Sequence, residues 1–224
     1  MKRASSVFGE SDRAAIARAV GEVERATSGE IVPVVATVSG RYDRAEDLFG
    51  LAVALAVLCG AWVLFQGTTE APWIAGAVPR MGLGWVVLTV AIGFVAGAAL
   101  ASRFPILRHP FIPHREMREE VERGAREAFS RSRVGRTADA TGVLIYVSLY
   151  ERMVRVLADD AVAAHVSDAQ WQAVCDQVTA GMKAGNPAEG LAQAIRTSAS
   201  LLAAQLPARP GDRNELPDAL VILD

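Results

Sequence analysis

Residues Thr141 to Ala158 read T-G-V-L-I-Y-V-S-L-Y-E-R-M-V-R-V-L-A, and this stretch decides the fold. Two β-rich runs, Gly142–Leu149 and Arg152–Ala158, flank Tyr150-Glu151 and predict an antiparallel hairpin turning near 150–151. The turn is not of the Asn-Gly kind, so its type stays open. Outward from the hairpin the pattern becomes helical. Ser167 to Gln170 forms a capping box and Gly185 stops the helix that follows. Asn186-Pro187 with Glu189 starts another helix, which runs toward Gln205 and is closed by Pro207. Ala219–Leu223 predicts a last short strand. Upstream, Pro113–Ser130 predicts a charged helix with an apolar stripe of Met117, Val121, Ala125, Ala128 and Phe129.

The start of the chain supplies one more helix and one more strand. Ser11 can cap a helix whose apolar face is Ile16, Ala19, Val20, Val23 and Ala26, ended by Gly29. Glu30–Val38, E-I-V-P-V-V-A-T-V, is an apolar β-run with no neighbouring strand, so it must pair with something later in the chain. Pro33 lacks a donor, which predicts an edge or a strand start. Together the elements predict a layered α/β sandwich, a four-stranded central sheet flanked by helices.

Two long charge-free runs interrupt this domain. Leu48–Thr69 and Met81–Ser102 are each 22 residues without a charge, and only Glu70 and Arg80 lie between them. A 22-residue helix is about 33 Å long, enough for a hydrocarbon core of about 30 Å. The organisation expected is therefore residues 1–47 as the first part of a split domain, 48–102 as a transmembrane helical hairpin, and 103–224 as the remainder. Pro72, Trp73 and Pro79 predict a tight linker, and Trp73 and Trp85 suit the interface. Small residues recur four apart: Ala52, Ala56 and Gly60 on the first span; Gly93, Gly97 and Ala101 on the second. They predict packing within the hairpin.

Arg41 and Arg44 precede the first span, and Arg103, Arg108, Arg115 and Arg118 follow the second. This bias predicts a protein of the inner (plasma) membrane with two spans and both termini cytoplasmic. Met1–Asp12 has no apolar core of the signal-peptide kind, so no cleaved leader is expected. Residues 103–136 carry nine arginines and five acids, and Arg103–Arg118 is expected to meet anionic headgroups. The whole chain has a net charge of −2, which excludes a broad nucleic-acid surface. Its two cysteines, Cys59 and Cys175, make no disulfide framework.

Several of these segments resemble the TPM-domain family, in its bacterial membrane-anchored branch. They are Ser28-Gly29-Glu30-Ile31-Val32-Pro33, Thr141–Leu149 with Glu151-Arg152, Val154, Val156, Ala158 and Asp159, then Trp171, Gly190-Leu191 and Asn214-Glu215-Leu216-Pro217-Asp218. The resemblance implies an α/β sandwich but no single reaction. Family members include reported acid phosphatases, calcium binders, and proteins that assist photosystem repair or modulate receptors.

The residues themselves offer little catalysis. No arginine stands six residues after Cys175, and DxDx[TV], GxSxG, HExxH, P-loop and GxGxxG patterns are absent. His109 and His114 lie beside the membrane among arginines, where interfacial hydrogen bonding is expected in place of metal binding, and His165 is a lone, solvated residue on a helix flank. Pairing about 150–151 sets residue 142 opposite 159, which brings Asp139, Asp159 and Asp160 to one end of the sheet. Clustered carboxylates suit hard cations, so these three are the candidate Ca2+ or Mg2+ ligands. In the family, acids before the GVL strand are linked to metal, and Asp139 is the matching position; here Ala140-Thr141 intervene. The leading expectation is a membrane-anchored module that binds a protein partner or assists assembly without catalysis or cofactor. The alternative is a metal-dependent phosphatase held at the membrane.

Overall fold

The computed structural model describes residues 2–65, 82–137, 139–208 and 214–224. The expected linker Glu70–Arg80, with Pro72, Trp73 and Pro79, lies outside the described residues. The chain divides into two compact units, one of residues 2–40 with 115–224, the other mainly of residues 41–114.

The first unit is the α/β domain. In chain order its elements begin with α1 (Ala4–Val7), α2 (Glu10–Val23) and β1 (Glu30–Ala36). The second unit holds α3 (Asp43–Phe65) and α4 (Leu83–Arg103), followed by two short 3-10 turns, Pro105–Leu107 and His109–Phe111. The α/β domain resumes with α5 (His114–Arg131), a 3-10 turn at Val134–Arg136, then β2 (Gly142–Ser148) and β3 (Met153–Ala158). It ends with α6 (Asp160–Ala163), α7 (Asp168–Lys183), α8 (Pro187–Ala203) and β4 (Val221–Leu223).

The sheet order is β3-β2-β1-β4. β2 and β3 form the expected antiparallel hairpin, Val143 opposite Ala158 and Ser148 opposite Met153, about a four-residue turn that ends with Arg152 in the left-handed region at φ 55°. β1 runs parallel to β2, with Glu30 opposite Gly142, and parallel to β4. The isolated apolar run thus finds its partners more than a hundred residues away.

Strand alternation sorts the core into two layers. Ile31, Val35, Val143, Ile145 and Val147 point to one face, where α2, α7 and α8 contribute Ile16, Val20, Val174, Val178, Leu191, Ile195 and Leu202. Val32, Val34, Leu144 and Tyr146 point to the other, against Val121, Ala125 and Ala128 of α5. Successive strand residues face opposite ways, so β1 and β2, covered on both faces, are buried throughout and apolar apart from Glu30 and Ser148 at their ends and the Tyr146 hydroxyl. Each such Val, Leu or Ile stabilises the fold by about 1.5–3 kcal/mol relative to an exposed one.

Pro33 lies inside the sheet, not at its edge. β4 pairs only with Val34–Ala36, so the flank of β1 at Pro33 that faces β4 carries no ladder bond for its missing N–H to break. At the helix ends, Ser167 and Gln170 form the expected capping box. Gly9, not Ser11, caps α2: its N–H donates to Asp12 at 3.1 Å. Pro187 opens α8, but Asn186 makes no side-chain cap.

In the second unit α3 and α4 pack against each other, and their small residues make the contact. A Cβ on Gly93 would lie 2.9 Å from Cα of Ala54, and one on Gly97 would lie 2.9 Å from Cα of Gly50. The second-span stripe of Gly93, Gly97 and Ala101 is buried as expected. On the first span the buried positions are Ala45, Gly50 and Ala54, while Ala52, Ala56 and Gly60 are exposed. An offset of two residues turns the stripe about 200° around a helix of 3.6 residues per turn. An Ala/Gly-rich helix offers several such stripes, and only the partner selects one.

Candidate functional site

At the end of the sheet where the parallel strands begin, β4 is too short to cover β1. On β1 the odd-numbered amides face β4: Thr37 N–H donates to Leu223 O at 2.7 Å. The Ile31 amide, on the same flank, has no strand beside it and donates to the Glu24 carboxyl at 3.4 Å. Glu24 comes from the residue that closes α2. The segment leading into β4 completes the group. Asn214 Nδ2 donates to Glu24 Oε2 at 3.0 Å and also to Asp218, and the Glu215 amide donates to Glu30 Oε1 at 3.0 Å. Gly21 lets this segment approach α2, since a Cβ there would lie 2.8 Å from Asp218 Oδ2.

Three carboxyls, Glu24, Glu30 and Asp218, therefore share one corner. Burial, with Glu30 and Asp218 beside it, pushes the Glu24 carboxyl up to about 8. Near neutral pH Glu24 is largely the acid, able to donate to the Asp218 carboxylate while accepting from Ile31 and Asn214. This is proton-sharing chemistry, and perturbed groups of this kind mark functional corners as well as structural ones. Its signal in the sequence is Glu30 at the start of a β-run and the Asn214–Asp218 segment, whose meeting depends on β4 lying beside β1.

The expected cation ligands sit at the same end of the sheet, beyond β2. The hairpin register is as read: the Asp159 amide donates to Gly142 O at 2.9 Å. Asp159 caps α6, with Oδ1 accepting from the Asp160 amide at 2.9 Å. Its second oxygen is buried near Gly135. Asp160 lies exposed in the first turn of α6, and Asp139 is exposed in the loop before β2, next to Ala140 at φ 53°. Among the described residues, no group of three His, Cys, Asp or Glu side chains is placed to hold a metal ion.

At the opposite end, where β1 and β2 finish, lies a second polar network. Glu151, 4% exposed, accepts from the Ser39 amide at 3.0 Å and from the Ser148 hydroxyl. The Ser39 hydroxyl donates to Ser148 Oγ at 2.7 Å and lies 3.0 Å from the Tyr146 hydroxyl. Burial pushes the Tyr146 phenol up, although its bond with Ser39 opposes the shift. A hydroxyl against a buried carboxylate is the pair a nucleophile would need. Here Ser148 and Tyr146 are 1% exposed, Ser39 is half-buried, and the bonds of the group fix the path of the chain after β1. Glu151, which the sequence places in the hairpin turn, is its centre. Beside it, Thr37 Oγ1 donates to Asp224 at 2.7 Å, and this bond with that from Ser5 holds the Asp224 carboxyl down at about 2.

A hollow of about 850 Å³ lies among α1, α2 and the start of α8. Lys2, Arg18 and Arg196 line it together with Asp12, Glu22 and Glu189, so its charges balance.

Residues 112–201 match the family model of the TPM domain. No curated protein matches the chain. Among solved structures, the NMR structure of BA42 protein from the psychrophilic bacterium Bizionia argentinensis shares the fold, with a TM-score of 0.58, 18% identity and 99% of each chain covered. Its likeness, a mixed four-stranded sheet between helices, is one of architecture. Over residues 112–201, the greater part of its α/β unit, the chain is thus similar in sequence to the TPM domain.

Proposed function

We propose that this chain is a TPM-domain module anchored in the plasma membrane by α3 and α4, with both tails in the cytoplasm, and that it binds a protein partner or assists membrane-protein assembly without catalysis of its own. One observation carries the anchoring. The two helices are long and apolar enough to cross a bilayer, and only 11% of each apolar window is buried. A core helix of a soluble domain hides such a surface. Here Val63, Leu64, Leu83 and Trp85 are 76%, 78%, 80% and 66% exposed. An apolar patch of this extent requires lipid or protein to cover it. The arginine bias about residues 41–44 and 103–118 supports the orientation. The binding role is favoured over catalysis because the two polar groups of the α/β unit are engaged with its own backbone.

Reporter fusions at Asp224 and Gly76 test the orientation, with a cytoplasmic signal expected at the first and an external signal at the second. The reverse pattern would move the α/β domain outside. Co-purification from detergent-solubilised membranes, compared with a chain lacking residues 41–114, tests the partner. Turnover of a phosphomonoester by pure protein, lost on substitution of Glu24 or Glu151, would replace the binding role by the phosphatase one.

A further inference from the structure

The segment after α4 has a form that a simple exit from the membrane does not require. The chain does not leave along the helix axis. It makes two 3-10 turns, the first in contact with α4 and the second with α3, and so crosses the end of the hairpin. Three contacts fasten it there. Arg108 pairs with Glu46 of α3, its guanidinium lies 5.9 Å from the centroid of Tyr42, and Phe111 meets Phe49 edge-on with ring centroids 5.9 Å apart. Ser102, in the last turn of α4, also donates to Glu46. Both inner groups of the ion pair are mostly buried, with side chains 14% and 18% exposed.

While the inner side of this crossing is tied down, the outer side is apolar and open. Phe104 is 50% and Ile106 69% exposed. Both follow directly on Arg103, where the charge-free run of α4 ends, and the Arg103 guanidinium lies over the Phe104 ring at 5.7 Å. Because Glu46 is spent on Arg108, the cations left at this end of the hairpin are Arg41, Arg44 and Arg103, against Asp43 and Asp47. All three arginines are exposed or in the first turn of the span.

We propose that Arg103–Phe111 is a contact for anionic phospholipid, in which Phe104 and Ile106 enter the acyl boundary and Arg103, with Arg41 and Arg44, meets headgroup phosphates. This rests on the membrane reading above and adds to it the chemistry of the lipid. An apolar pair beside a cation that stacks on one of them is the arrangement that an interfacial element needs, and an arginine fork matches phosphate oxygens. A neutral interface would have no use for the excess of three arginines over two aspartates that remains once Arg108 and Glu46 have paired.

The test uses the full-length protein, in two measurements. Carbonate extraction of membranes reports whether the chain is integral. Lipids retained through purification, counted by native mass spectrometry after exchange into detergent with equimolar phosphatidylglycerol and phosphatidylcholine, report the headgroup. The parent should be integral and retain phosphatidylglycerol in preference. Each of Arg41→Gln, Arg44→Gln and Arg103→Gln should weaken that preference about fivefold, the worth of one cation near an anionic surface. Phe104→Ser with Ile106→Ser should lower retention of both lipids. An integral parent with no headgroup preference, or arginine variants that retain phosphatidylglycerol as the parent does, would overturn the proposal and leave the membrane reading standing. Release of the lipid by millimolar inorganic phosphate would also overturn it, by showing a site for the free anion. A chain extracted by carbonate would overturn the membrane reading itself.

Discussion

Replacing Glu24 by glutamine should flatten the fall in stability that the parent shows between about pH 4.5 and pH 8. The Glu24 carboxyl stands at about 8 in the folded chain against an ordinary 4.5, because burial and the nearby Glu30 and Asp218 oppose its ionisation. Between those values the folded state holds a proton that the unfolded state has released, so stability is greatest below pH 4.5, declines as pH rises, and levels off above 8. At about 1.4 kcal/mol per unit the full shift sets a ceiling near 5 kcal/mol. Glu24 is half-buried, and solvent screening at its exposed side cuts this to roughly 2 kcal/mol. Glutamine keeps an oxygen for the Ile31 amide and an N–H for Asp218, without the charge, but sets a second donor against Asn214 Nδ2, a loss that does not vary with pH. Relative to its difference from the parent near pH 4, the variant should gain roughly 2 kcal/mol by pH 8. Denaturant unfolding of full-length protein in detergent, followed by circular dichroism at both pH values, measures the difference. Because carboxyls remote from this corner are unaffected by the substitution, the difference isolates Glu24 and its coupling to Glu30 and Asp218. A parent-to-variant gap that is constant with pH would refute the reasoning.

Other perturbations probe the packing and the remaining polar groups. Gly142→Ala would drive a Cβ into the Val134 carbonyl and should cost about 1–3 kcal/mol by overpacking; an unchanged denaturation midpoint would contradict that contact. Gly97→Leu should pry α4 from Gly50 and Val53, and disulfide trapping between cysteines introduced at positions 54 and 93 of a chain lacking Cys59 and Cys175 should fall accordingly. Glu151→Gln puts an amide donor against the Ser39 amide or the Ser148 hydroxyl, both donors, and should destabilise by about 1–3 kcal/mol, read as a lower unfolding midpoint. Millimolar calcium or magnesium should leave the melting temperature unchanged, whereas ligand at a hundred times its dissociation constant would add about 2.7 kcal/mol; a shift lost in Asp139→Asn would restore a cation site at Asp139, Asp159 and Asp160.

Local chemistry and periodicity, which act within a few residues, were legible in the sequence. The alternation in Gly142–Ala158 and its turn set the hairpin register, and Val143 does face Ala158. Ser167 and Gln170 named a helix start, and the missing charges named two apolar helices. The unpartnered run Ile31–Val38 required a distant strand, and β2 supplied it. What the sequence could not decide were choices among equivalent local options. Gly50 and Ala54, not Ala52 and Ala56, face α4 because a helix with small residues on several sides has no preferred side until a partner docks. Pro33 sits in an interior strand because β4 begins only beside Val34. The aspartates that share a sheet end do not form a group of three placed to hold a metal ion, since proximity along a sheet edge leaves the side-chain directions open. The carboxyl corner arises from residues 24, 30, 214, 215 and 218, nearly two hundred positions apart at its extremes. A carboxyl acquires an altered affinity for protons only from what surrounds it in space, and for Glu24 those surroundings are assembled by the return of β4 to β1.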